Sequence, residues 1–268
     1  HFACAFTLYC AIALQCAFPC TGKCALHIAL QRQSELHMPV ITVGSSKGGC
    51  GKTTTVLALA SEIRSAGAEV CIIDADDQLS AFNWYLKWQA KDRITVIDAS
   101  NLNRDIDIRT HIKDAAAKYP FVIVDPAGMR SQRMQWAASL SDMWIIPQKA
   151  TSLDAAATAN LLDVDMEAIV EMRGGRPIPH RILFTMTNPL IMSKNERHVV
   201  NATRNKAPVF DAELRQYDAY AAMDLYGLTL EEVAEQRVAN AERPRKFAAE
   251  VLHQTIEDIK AAEAEERK

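Results

Sequence analysis

Positive charge is not in excess in this 268-residue chain. Thirty lysines and arginines stand against 33 aspartates and glutamates, for a net charge of −3. Contact with nucleic acid must therefore come from a local basic patch rather than a global field. Long apolar runs are also missing. The N-terminal apolar stretch is broken by Gln15, Pro19 and Lys23, well before the roughly 20 residues that a membrane helix requires. No internal repeat, low-complexity tract or long linker interrupts the chain. Paired Cys-x-x-Cys spacings with histidines, the mark of a structural zinc site, are absent. Cys4, Cys10, Cys16, Cys20 and Cys24 crowd the first 24 residues irregularly, while Cys50 and Cys71 stand apart. Residues 1–37 also lack an initial Met, a basic n-region and an A-x-A cleavage site, so they do not read as a signal peptide. The expectation is a non-native extension over 1–37, with Met38 as the natural start. Two isolated cysteines in the remainder suit a cytoplasmic protein.

What is present is an alternation of short β-branched runs with helical stretches from Met38 onward. This argues for an α/β fold in which a mostly parallel sheet is flanked by helices on both faces. At 49% hydrophobic and 24% charged residues, residues 38–268 suffice for a single domain. Strands are expected at the P-loop lead-in, Glu69–Asp74, Ile94–Ala99, the run from Phe121, Met143–Pro147, His180–Asn188 and Ala207–Ala212. Helices are expected to follow Lys52 and to cover Ala81–Gln89, Asp105–Lys118, Gln132–Leu140, Ser152–Met172, Ser193–Lys206 and most of the remainder. Thr229-Leu230-Glu231-Glu232 has capping-box form. Phe82, Trp84, Tyr85 and Trp88, at helical spacing, read as core or dimer packing rather than an exposed patch.

The informative stretch is Val40–Thr55, VITVGSSKGGCGKTTT. A β-branched run enters a glycine-rich turn that ends in Lys-Thr at the start of a helix, the layout of a phosphate-binding P-loop. Glycines let backbone N–H groups converge, the helix N-terminus adds partial positive charge, and Lys52 adds a full one. The Thr53 hydroxyl is suited to Mg²⁺. The usual first glycine is replaced by Ser46, and a second lysine, Lys47, follows it. Three acids close strands: Asp74 and Asp76 in IIDADDQ, and Asp125 at the end of FVIVD. At the carboxyl edge of an open α/β sheet they would surround a bound nucleotide.

These residues resemble a family. SKGGCGKTT (46–54) resembles the deviant Walker A motif of the ParA/MinD ATPases, with Lys47 as its signature lysine and Lys52 as its P-loop lysine. IIDADDQLSAFNW (72–84) resembles the second motif of short partition ATPases, with Asp77 where proline is common. FVIVDPAG (121–128) resembles the Walker B strand and its glycine-containing switch loop. SDMWIIPQKATSLDAAA (141–157) and VFDAELRQYDAYAAMDLYGLTLEEV (209–233) resemble later family elements.

The resemblance implies ATP and Mg²⁺ as cofactors and a homodimer that sandwiches ATP, Lys47 reaching the partner's nucleotide. Gly48, Gly49, Cys50, Gly51, Lys52, Thr53 and Thr54 would bind phosphates, Asp76 would orient the attacking water with support from Asp74, and Thr53 and Asp125 would serve the metal. Asn188 matches an adenine-contacting position, though a turn-capping role before Pro189 reads equally well. The implied activity is ATP hydrolysis coupled to nonspecific DNA binding, stimulated by a ParB-like adaptor, in plasmid or chromosome partition on the nucleoid. Arg215, by motif position, and Arg237, Arg243, Arg245 and Lys246, by local density, are the DNA candidates. Only eight residues separate Met38 from the P-loop, which leaves no room for an operator-reading N-terminal domain. Tyr217–Met223 (YDAYAAM) resembles an element of ATPases of conjugative or T-DNA transfer, and protein-cluster positioning is a further alternative. A MinD-like membrane role fits less well. The apolar stripe Phe247, Val251, Leu252, Ile256 and Ile259 is backed by acids rather than Lys and Arg, so it should pack on the core with no membrane partner.

Overall fold

The computed structural model describes residues 38–100, 107–128, 131–188 and 190–267; the expectation for residues 1–37 lies outside them. Seven parallel strands form one sheet in the order β3-β2-β4-β1-β5-β6-β7. They are β1 (Val40–Val43), β2 (Val70–Ala75), β3 (Ile94–Asp98), β4 (Val122–Pro126), β5 (Met143–Lys149), β6 (His180–Thr187) and β7 (Leu214–Arg215). The helices, in chain order, are α1 (Lys52–Ser65), α2 (Ser80–Lys87), α3 (Ile108–Ala116), α4 (Gln132–Ser139), α5 (Ser152–Met172), α6 (Lys194–Arg204), α7 (Asp218–Tyr226), α8 (Leu230–Glu235) and α9 (Glu242–Glu266). The fold is therefore α/β as expected, with an all-parallel sheet.

Burial on both faces explains why the central strands read as unbroken apolar runs. VITV of β1 and VCIIDA of β2 are buried at every position. On one face α1, α2 and α7–α9 share a core that includes Leu59, Ile63, Trp84, Phe210 and Val251. On the other, α3 and α4 cover β2 and β4, while α5 and α6 cover β5 and β6. The stripe Phe247, Val251, Leu252, Ile256 and Ile259 of α9 is buried in the first of these layers. Trp84 and Trp88 are likewise core residues, stacked with centroids 5.4 Å apart. Their indole N–H groups donate to Leu228 O (3.1 Å) and Glu232 Oε2 (2.9 Å).

The chain winds outward from β1 in both directions, because β1 pairs with β4 on one side and β5 on the other. That reversal opens a crevice at the carboxyl ends of β1 and β4, where α/β proteins bind ligands. One expected element moves. Ala207–Ala212 forms only a single bridge, Val209 to Ile182, and the seventh strand is Leu214–Arg215. Pro208 has no N–H to give the ladder, and β6 shifts register between Thr185 and Thr187 around Met186, at φ +55°. Helix α3 begins at Ile108, capped by Asp107 through Arg109 N (2.7 Å) and Thr110 N (3.3 Å); the expected start at Asp105 lies outside the described residues.

The capping box at Thr229 is formed. Thr229 Oγ1 accepts from Glu232 N (3.3 Å) and Glu232 Oε2 accepts from Thr229 N (2.8 Å). The same Glu232 holds Trp88, joining α8 to α2. Thr229→Ala is expected to cost about 1 kcal/mol of unfolding free energy, measured by urea denaturation, with ATP affinity unchanged.

Candidate functional site: a phosphate loop and a buried carboxylate

The loop after β1 curls into a cradle because two of its residues are glycines in left-handed conformation, Gly49 (φ +65°) and Gly51 (φ +86°). Gly51 precedes α1, and Thr55 N closes the first turn on Gly51 O at 3.0 Å. A side chain on Gly48 or Gly49 would meet nothing within 4 Å, so this part of the loop borders open space that suits phosphate oxygens. Cys50 is buried beneath the loop, its thiol donating to Lys47 O (3.2 Å). Lys52 is also buried. Its ammonium lies against the loop after β4, where a Cβ on Gly128 would come within 2.6 Å of Lys52 Nζ and 3.1 Å of Gly48 Cα. A side chain there would push the lysine aside and crowd the backbone of the phosphate loop, which suits a small residue after β4.

Beside the cradle lies the acid pair. Parallel register sets Asp74 of β2 directly beside Asp125 of β4. Asp125 is fully buried; one oxygen accepts from Thr53 Oγ1 at 2.7 Å and the other, Oδ1, has no hydrogen-bond partner among the described residues. Burial, with Asp74 and Asp76 nearby, pushes its pKa from 3.8 to about 7. A buried, half-satisfied carboxylate next to a hydroxyl suits a hard divalent cation, which takes oxygen ligands. No group of three or more His, Cys, Asp or Glu side chains able to hold a metal occurs among the described residues. The arrangement thus fits Mg²⁺ held through Thr53, Asp125, phosphate and water rather than in an all-protein cage.

The other acids have different settings. Asp74 is buried and its pKa is raised, chiefly by desolvation. Its oxygens accept from Asp76 N (3.2 Å) and Phe82 N (3.0 Å), which pins the loop that carries Asp76 and the first turn of α2. Asp74 is therefore a positioning residue in this geometry. Asp76 is half-buried and accepts from Gln78 N (3.0 Å). Asp77, where the resembled motif has proline, lies 3.6 Å from Arg133 Nη1.

Lys47 departs from Lys52. Its ammonium sits outside the cradle, 38% exposed, and pairs with Asp154 Oδ1 at 3.4 Å. Asp154 belongs to the first turn of α5, where Thr151 caps the helix by accepting from Asp154 N at 3.1 Å. The stretch TSLD carried this signal as a cap followed three residues later by an acid, but the tertiary pairing with Lys47 is invisible in sequence.

The remaining candidates scatter. Asn188 Oδ1 accepts from Leu190 N (2.8 Å) and Ile191 N (3.3 Å), the turn-capping arrangement. Arg215, on the edge strand, lies 3.7 Å from Glu213. Arg237 and Arg243 are exposed near the turn into α9, and Lys246 pairs with Glu250 on the same helix. Arg245 points inward, donating to Ser65 Oγ (2.8 Å) and pairing with Glu62 and Glu231. It therefore ties α9 to α1, and its guanidinium is largely committed.

Sheet order, cradle and acid pair define a P-loop nucleotide-binding protein of ParA/MinD type. The family model for VirC1 protein matches residues 38–264, and the chain belongs to that family. It is 29% identical over 228 residues to Protein ParA of Rhizobium radiobacter, covering 83% of this chain and all of that protein. It is 26% identical over 214 residues to the maintenance of carboxysome distribution protein A of Gloeobacter kilaueensis, covering 80% and 93%. Among solved structures, apo McdA from Cyanothece superposes with a TM-score of 0.62 at 20% identity, covering 81% of this chain and 100% of that one. That level of identity speaks for the fold.

The buried carboxylate has a pH signature. Between pH 3.8 and about 7 the folded state binds more protons at Asp125 than the unfolded state does. Its contribution to stability is therefore full in acid and is lost as pH rises through 7. In Asp125→Asn this loss is absent, so the variant's melting temperature, relative to wild type without nucleotide, is expected to climb between pH 5 and pH 8. Parallel melting curves across that range would contradict the assignment.

Proposed function

We propose that the protein is an ATP-hydrolysing dimerisation switch that binds DNA nonspecifically and segregates or positions cargo. The observation that carries this reading is the division between the two loop lysines. Lys52 is buried in its own cradle, where it would hold β- and γ-phosphates. Lys47 lies outside it on a half-exposed ion pair with Asp154, which would have to open for the ammonium to reach a second nucleotide across a dimer face. A face built around two triphosphates is strongly anionic unless cations enter it, and Lys47 would supply one from each subunit.

In this reading the loop amides of residues 48–54 and Lys52 bind the triphosphate, with Thr53 and Asp125 serving Mg²⁺. The ion would neutralise charge on the phosphates during transfer of the terminal group to water. Asp76 would accept a hydrogen bond from that water, on a loop fixed by Asp74. An ATP complex of an McdA variant shares this fold with a TM-score of 0.61, which supports ATP as the nucleotide. Arg215, Arg237, Arg243 and Lys246 are the better DNA candidates, since Arg245 is engaged internally, and Asn188 remains a proposed adenine contact. A ParB-like adaptor that stimulates turnover, and a cytoplasmic, nucleoid-associated setting, complete the proposal. No helix among the described residues is long and apolar enough to cross a membrane.

A second reading, an ATPase that assists DNA transfer rather than partition, is favoured by the VirC1 family match and the element Tyr217–Met223. Both share the engine and differ in cargo. The test is retention on nonspecific duplex DNA with ATP, with ADP and without nucleotide. Retention is expected with ATP alone, to fall steeply as salt is raised, and to drop at least tenfold in Lys47→Ala. Equal retention of Lys47→Ala and wild type would overturn the proposal.

A further inference from the structure

A second cavity, of about 550 Å³, lies between α5 and α6, over β5 and β6. It opens on the face opposite α1 and the P-loop helix layer, so it is not part of the phosphate cradle. Its existence follows from the residues that border it. Ala155, Ala156 and Ala159 of α5 and Ala202 of α6 line it with short side chains, three of them exposed, so it is an open groove that larger side chains would fill.

A stripe of alanines alone would say little, but Gln148 also borders this cavity. Trp144 and Ile146 of β5 point into this layer, and the period of two brings Gln148 to the same face. A glutamine therefore stands where the strand pattern calls for another apolar residue. Gln148 is 1% exposed, and neither Oε1 nor Nε2 has a hydrogen-bond partner among the described residues; both atoms are shielded from solvent, so a ligand in the cavity meets them once the side chain turns toward it. Leaving a buried amide unsatisfied is costly, and such groups are kept when something meets them.

We infer that this cavity is a small-molecule site for a purine nucleotide, with the base edge on Gln148. A glutamine amide offers a donor and an acceptor in one plane, the pattern that pairs with adjacent acceptor and donor atoms of a purine edge. The alanine-lined groove has room for a flat ring, and its volume lies within the usual range for such ligands. At the mouth, His198 and Lys206 of the α6 side are exposed and form no ion pair among the described residues, which suits a phosphate. Asp163, across the mouth on α5, suits ribose hydroxyls. The site adjoins Ser152 in the same first turn as Asp154, so occupancy would be felt where α5 holds Lys47.

The inference does not depend on the ATPase reading, and its test is built accordingly. Adenosine 5′-monophosphate and guanosine 5′-monophosphate are titrated separately by calorimetry into Lys52→Ala protein, in which the P-loop is disabled. Saturable binding of either, with a Kd on the order of 10–100 μM, is expected. Adding Ala159→Leu, which fills the groove, should abolish it. Adding Gln148→Leu should weaken it at least tenfold while the melting temperature holds or rises, since an unsatisfied amide is removed. Absence of binding by both nucleotides would overturn the inference, as would binding that survives Ala159→Leu. A crystal structure with only ordered water on Gln148 after soaking with both nucleotides would overturn it as well.

Discussion

The site depends on one buried contact, the 2.7 Å hydrogen bond from Thr53 to Asp125. It joins the first turn of α1 to the end of β4, and so fixes the phosphate loop against the acid proposed to serve the metal. The contact also leaves the site incomplete. Asp125 keeps one oxygen without a partner among the described residues, next to Asp74, and burial pushes its pKa up to about 7. Such a carboxylate favours either a proton or a cation. Nucleotide with its metal would resolve what the protein alone leaves unresolved, which is how a binding event acquires leverage over the surrounding loops.

Those loops are arranged to respond. Gly128 lies so near Lys52 and Gly48 that a Cβ would crowd both, so anything that enters the cradle must contend with the loop after β4. The loop after β2 is pinned by Asp74 through two backbone N–H groups and reaches α4 through Asp77 and Arg133. Lys47 is restrained by Asp154 at the start of α5. Loops from three strands thus meet at one cradle.

How much of this could be read from sequence varied with the range of the interaction. The phosphate loop was legible because its chemistry is local: glycines at positions of positive φ, a lysine and a threonine at a helix start. Asp125 was legible because a both-faces-buried strand that ends in an acid is conspicuous. The stripe on α9 and the capping box at Thr229 followed from periodicity and spacing. The seventh strand was displaced because VFDA has strand composition, while pairing was set by Pro208 and by Met186 in a different segment. Arg245 looked like its neighbours Arg243 and Lys246 because density of charge does not reveal Glu231 on the preceding helix or Glu62, about 180 residues away in the chain. The Lys47–Asp154 pair and the Gln148 amide, unpartnered among the described residues, are tertiary facts, without a local signature beyond an acid near a cap and a polar residue in an apolar strand.

The central claim is that ATP converts this chain from one subunit to two, through a lysine that its own cradle does not use. Sedimentation of the protein with ATP, with ADP and without nucleotide tests it most directly. The account predicts a particle of twice 29.7 kDa with ATP only, and a single subunit in the other two conditions. A single subunit in all three, or a dimer indifferent to nucleotide, would contradict it.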